Sequence, residues 1–283
     1  MTSATVNSII ARCIVDPPFL AALASNPSAT LDGYDLDGQA RYDFLNLDLT
    51  RIQYLAGFIT KIQNHDVIAE LPQTHVLLRH YDVELPVFRA YHEMHQALRR
   101  TNPGRNDKLR SFVPFLKAYL ESLPDGSTPG LADIVNHEWL LWQVRESVVR
   151  QPSTASAESS AVPPASEARL DQLIPRLNGA FRVGLFEYNP FEVAGEIASL
   201  TFDAGRLNKK PCIWGYWADP GTLSVRLFEL EYGVLLVLDQ ITGSGSIGEI
   251  IRRLGERSSG EITPEEIRAF FLTALQTGLC VTG

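Results

Sequence analysis

The stretch "TLSVRLFELEYGVLLVLDQITGSGSIGEIIRRLGE", Thr222 to Glu256, decides the fold. Its first eight residues alternate: Leu223, Val225 and Leu227 suit a core, while Ser224, Arg226 and Phe228 form a semi-polar second face with one aromatic. That period of two is the mark of a strand. The run then turns helical, is broken at Gly243, Ser244 and Gly245, and resumes as a second helix. "TPEEIRAFFLTALQTGL" follows at Thr263–Leu279. Thr263 with Glu266 three residues later makes a capping box, and Gly278 stands where a C-terminal cap belongs. On this third helix Ile267, Phe270, Phe271, Ala274 and Leu275 form the core stripe, with Arg268, Leu272 and Gln276 beside it.

Working upstream, "PCIWGYWADPGTLSVRLFEL" reads as two strands around Asp219–Pro220–Gly221, where Pro presets one dihedral and Gly permits positive φ. "AFRVGLFEY", Ala180–Tyr188, is another strand. "NPFEVAGEIASL" is a helix with Asn189 as N-cap and Pro190 at its first position. A small sheet joined to three helices is a winged-helix-like outline. Residues 150–167 are rich in Ser, Ala and Pro and lack large apolar side chains, which marks an exposed linker.

The first half, residues 1–149, reads as helical throughout. Asp16 caps "PPFLAALAS". Leu45, Leu49, Ile52, Leu55, Ile59 and Ile62 recur at spacings of three and four, the pattern of a core-facing stripe. Roughly six helices with short connections are expected. The fold class is therefore α+β: an all-helical bundle over 1–149, a linker over 150–167, and a small sheet with three helices over 168–283.

Composition narrows the function. The chain of 283 residues carries a net charge of -8, spread over both halves, so neither half looks built to neutralise phosphates. No apolar run is long enough to span a bilayer and no signal peptide is evident, which places the protein in the cytoplasm. Cys13, Cys212 and Cys280 are far apart and read as small buried hydrophobes. His92 and His95 share a helix face and could bridge a metal, but HExxH with a further ligand is absent. "GSGSIGE", Gly243–Glu249, follows a helix rather than a strand, so it is an interhelical turn and not a dinucleotide loop. No GxSxG elbow occurs, and no nucleophile, base and oxyanion donors assemble. The chain by itself reads as a binding protein. An edge strand beside a helix offers a groove for an extended peptide, with Ser224, Arg226, Phe228, Arg268, Leu272 and Gln276 facing it. Trp139, Leu140 and Trp142 are candidates for a partner surface.

The strand order, "LLVLDQITGSGSIGEIIRRL" and "EIRAFFLTALQTGLC" resemble the PqqD-like RiPP recognition element over about the last 70 residues. In that family a leader peptide pairs with the third strand and packs on the third helix. "FVPFLKAYLESLPDGSTPGLADIVNHEWLLWQVRES" is similar to the end of the helical domain of HvfC and BufC proteins. The combination resembles partner subunits of multinuclear iron oxygenases, of the TglI type (3-thiaglutamate) and the MbnC type (methanobactin). The resemblance implies a non-catalytic subunit that holds a precursor or carrier peptide ending in cysteine. Its heterodimeric partner is implied to be a TIM-barrel oxygenase, which carries the iron. For the TglI-like branch it implies oxidative excision of the β-carbon of that cysteine. Two other classes stay open: a metal enzyme built on His92 and His95, and a winged-helix regulator.

Overall fold

The structure, a computed structural model, describes residues 3–94, 105–150, 167–219, 222, 224–257 and 262–282. It is mixed α and β, and it divides into two compact units, Met1–Leu131 and Ala132–Gly283.

The first unit is helical. Its elements are α1 (Ser3–Val15), α2 (Pro17–Ser25), α3 (Pro27–Leu31), α4 (Gly38–Leu45), α5 (Leu49–Gln63), α6 (His65–Ala69), α7 (Pro72–His80), α8 (Glu84–Met94) and α9 (Arg105–Glu121). More helices form than the roughly six expected, because side-chain caps start new ones. Asp16, Asn26, Asp37 and Asp48 each accept a backbone N–H two or three residues on. One core joins Ile9, Cys13, Leu23, Leu31 and Ile52. Phe88 and Phe112 are fully buried and stack at 5.3 Å.

Helix α5 departs from the expected stripe. It buries Ile52, Ala56, Gly57 and Thr60, and its closest neighbour is α8. A Cβ at Gly57 would lie 3.3 Å from the Leu85 carbonyl oxygen, so small residues set this approach. Leu55 and Ile62, expected in the core, are exposed together with Tyr54 and Phe58. The i, i+3, i+4 spacing is real, but tight contact with α8 selects the small-residue face instead.

The second unit begins with α10 (Leu131–Arg150). Sequence alone groups this helix with the bundle, whereas its contacts place it with the sheet. There follow α11 (Glu167–Leu170), β1 (Pro175–Leu177), β2 (Phe181–Phe186), α12 (Pro190–Ala198), β3 (Cys212–Ala218) and β4 (Val225–Glu229). Helices α13 (Tyr232–Asp239), α14 (Ile247–Arg257) and α15 (Pro264–Gln276) come next, then β5 (Cys280–Thr282). The order β2-β3-β4 makes one antiparallel sheet, and β1 pairs with β5 in a second, which sequence reasoning missed. The capping box at Thr263 and the C-terminal cap at Gly278, with its positive φ, are as expected, and Gly243 in the break between helices also takes positive φ.

Both faces of the three-stranded sheet are covered. On one face Phe181, Trp217 and Phe228 pack with Ile247, Ile250, Leu254, Ile267 and Phe271. On the other, Phe186, Cys212 and Tyr216 pack with Leu140, Val144 and Val148 of α10. Gly184 permits this second approach, since a Cβ there would sit 2.6 Å from Leu140 Cδ1. Each large side chain buried in this way contributes about 1.5–3 kcal/mol.

Candidate functional site

Helices pack on both faces of the sheet, leaving Leu185, Arg226 and Leu227 exposed, and its backbone meets solvent at its edges. In an antiparallel pair, directly opposed residues alternate between exchanging both backbone hydrogen bonds and exchanging none. Leu230 N donates to Ile213 O at 2.8 Å and Asp219 N to Ser224 O at 2.9 Å. Combined with the register Phe228↔Gly215 and Arg226↔Trp217, this parity turns the backbone groups of 224, 226, 228 and 230 toward β3. The N–H and C=O of Val225, Leu227 and Glu229 therefore point outward, and no described strand pairs with them.

The opposite edge, on β2, is partly closed. Arg182 turns back and donates to the Gly179 and Phe181 carbonyls at 2.8 and 2.7 Å. A charged side chain folded over an edge in this way discourages pairing. The outer edge of β4 carries no such cover among the described residues.

The expected division of β4 into a core set and a peptide-facing set needs correction. Phe228 is half-buried, and its ring lies over Gly215 and parallel to Phe181 at 6.2 Å. Leu227, expected inside, is 37% exposed, and Val225 packs toward the α10 core. The reason is that both faces of this sheet are packed, so alternation does not separate inside from outside. Leu223 lies outside the described residues.

The other candidates fall into place individually. Ser224 is exposed, with its hydroxyl 2.7 Å from that of Thr222. Arg226 is exposed, its guanidinium 5.2 Å from the Trp217 ring centroid. Leu272 is half-buried and Gln276 exposed. Arg268 is held in a bidentate pair with Asp171 at 3.0 and 2.9 Å, an anchor between α15 and the residues after α11. Sequence spacing put it beside the groove; its guanidinium is committed to this pair. Leu140 is buried under the sheet, which removes it from a partner surface. Trp142 is buried too and stacks on half-buried Trp139 at 4.8 Å.

One polar cluster escaped the sequence reading. On α10, Asp133 and His137 sit one turn apart. Asp133 Oδ1 accepts the Glu187 N–H at 2.9 Å, yet burial still pushes its carboxyl up to about 6. His137 Nδ1 lies 2.8 Å from the Tyr216 hydroxyl, and burial lowers the imidazole to about 4. Nothing in the i, i+4 spacing marks them, because the burial comes from the sheet and α12. Their bonds tie α10 to β3 and to the end of β2. Cys13 and Cys280 are buried and pushed up to about 11 and about 12, so neither is a ready nucleophile.

Among the described residues, no three His, Cys, Asp or Glu side chains are grouped to hold a metal ion. The side chain of His92 and all of His95 lie outside the described residues. No single described helix is long and apolar enough to cross a membrane. No protein-family model matches the chain, and no curated protein matches it significantly in sequence.

Proposed function

We propose that this chain is a non-catalytic, peptide-binding partner subunit of an iron-dependent TIM-barrel oxygenase in RiPP natural-product biosynthesis, acting as a heterodimer in the cytoplasm. The observation that carries the reading is the open edge of β4 on a sheet whose two faces are already packed. A precursor peptide adds there as a fourth strand, bonding to the outward backbone of Val225, Leu227 and Glu229. Main-chain bonds supply affinity, and Arg226 and Leu227 meet the peptide's side chains. The helical unit adds support through the exposed row Tyr54, Leu55, Phe58 and Ile62, a surface suited to a protein partner. The resemblance assigns the iron and the chemistry to that partner, with excision of the β-carbon of a C-terminal peptidyl cysteine as the TglI-type reaction. An MbnC- or HvfC/BufC-type partner acting on another peptidyl cysteine is the variant of the same reading.

Expression of the chain alone and with the oxygenase encoded beside it, with iron measured in each preparation, tests the partnership. Copurification with iron only in the complex is the expected result. Stoichiometric metal in the lone chain refutes it and returns attention to His92 and His95. Leu227→Pro tests the edge. Its missing N–H faces outward, so the β3–β4 bonds survive while strand addition is blocked. Peptide binding should fall at least tenfold with the unfolding midpoint nearly unchanged.

A further inference from the structure

Helix α5 buries Ile52 and the small residues Ala56, Gly57 and Thr60, and Gly57 is where it meets α8. Its other large residues face solvent: Tyr54, Leu55, Phe58 and Ile62 are between 44 and 58% exposed. With Arg51 they fill one arc of about 100°, the width of a face that a helix normally buries. Tyr54, Val76, Leu85 and Pro86 form the apolar side of an adjoining cleft of about 670 Å³, so the apolar surface continues beyond the helix.

The middle of the arc is Arg51, Leu55, Phe58 and Ile62, at spacings of four, three and four. That is the a/d spacing of a two-helix seam. It reads the same in both directions, so an antiparallel second copy matches it position for position. Leu55 meets Phe58 of the second copy, and Arg51 meets its Ile62. Charge selects this direction. The Arg51 side chain is 87% exposed, in a solvent-facing pair with Asp48 at 3.2 Å. A parallel pair would set Arg51 against Arg51. The antiparallel pair lays its methylene stem along Ile62 and its guanidinium at the negative, C-terminal end of the facing helix. Lys61, at the margin of the arc, is held by Glu84 at 2.8 Å and adds no opposing charge.

We infer that the exposed face of α5 is a self-association surface, on which two copies of this chain pair α5 antiparallel about an axis between Leu55 and Phe58. A whole side chain of this size offers about 200 Å², so covering the apolar row removes roughly 400 Å² per copy. A standard interface takes about 800 Å² from each partner. The dimer is therefore weak, with a Kd of about 10–100 µM, and it dissociates at a few micromolar. The same row is the one offered above to an oxygenase partner. The two occupants exclude each other, and the homodimer is the form of the chain without that partner. The inference does not rest on the peptide-binding reading.

Sedimentation velocity on the full chain, without a partner, tests it. At about 200 µM the mass should approach that of two chains, and at about 2 µM that of one. Phe58→Asp and Leu55→Asp should each weaken the dimer at least tenfold with the circular dichroism spectrum unchanged. A short bismaleimide reads the direction. Arg51→Cys mixed with Ile62→Cys should cross-link, and neither variant should cross-link alone, because like positions lie about 16 Å apart along an antiparallel pair. The native Cys13, Cys212 and Cys280 are buried and do not compete. A monomer at about 200 µM, a dimer unmoved by both aspartates, no cross-link in the mixture, or a cross-link in either variant alone overturns the inference. Each of those results leaves the peptide-binding reading standing, since that reading concerns β4.

Discussion

Gly215 is the point at which the sheet, its edge strand and its core meet, and replacing it with alanine should destabilise the C-terminal unit. A Cβ there would lie 2.5 and 2.9 Å from two ring carbons of Phe228. That ring has little freedom to leave, since it is stacked on Phe181 with planes 7° apart. Forcing such a contact costs about 1–3 kcal/mol. Alanine returns about 0.5–1 kcal/mol through its smaller loss of backbone entropy in a strand. The net expectation is a loss of about 1–2 kcal/mol. Phe228→Ala alone should cost about 2–3 kcal/mol, below the range for a fully buried phenylalanine because the ring is half-buried. In the Phe228→Ala background no ring remains to clash, and Gly215→Ala should become neutral or stabilising by about 0.5 kcal/mol. The sign change amounts to a coupling of about 1.5–2.5 kcal/mol. Urea unfolding followed by tryptophan fluorescence reads it cleanly. All four tryptophans, at 139, 142, 214 and 217, lie in the C-terminal unit, so the signal reports that unit. An equal cost of Gly215→Ala with and without Phe228 would refute the reasoning.

Buried charges, ion pairs and close helix contacts give four further outcomes. For Asp133 the folded pKa of about 6 lies above the ordinary carboxylate value, so its contribution to stability falls as pH rises from about 4 to about 6. For His137 the folded value of about 4 lies below the ordinary one, so its contribution grows from about pH 4 to about 6.5. The two slopes oppose each other. Asp133→Asn should therefore make unfolding free energy climb with pH across that window more steeply than in wild type, and an unchanged profile contradicts the assignment. Asp171→Ala and Arg268→Ala should each cost about 1–2 kcal/mol, and the double variant little more than either alone, as urea midpoints will show. In the helical unit, Phe58→Ser should stay within about 0.5 kcal/mol of wild type by circular dichroism melting, because Phe58 is exposed. Gly57→Leu should cost about 2 kcal/mol or more, because α5 closes on α8 at that residue.

Local chemistry was legible in the sequence wherever a few neighbouring residues decide the backbone. Asp16, Asn189 and Thr263 cap helices as their spacing requires, the helix breaks at Gly243, and Gly278 adopts the positive φ of a C-terminal cap that glycine takes easily. The strands β2, β3 and β4 and the three helices after them follow from the same short-range signals, and with them the α+β class. What covers each face was decided by the tertiary structure. Alternation along β4 cannot say that Phe228 is inside and Leu227 outside when α10 packs one face and α13–α15 the other. The spacing of leucines and isoleucines in α5 cannot say that the small face around Gly57 is the one that meets α8. The outward row of Val225, Leu227 and Glu229 depends on register, and register is set by pairing with β3, a strand seven or more residues away in the chain. The same holds for Asp133 and His137, whose burial is imposed by residues about 50 to 80 positions later. Periodicity reports which residues share a face of an element; only packing determines which face finds a neighbour.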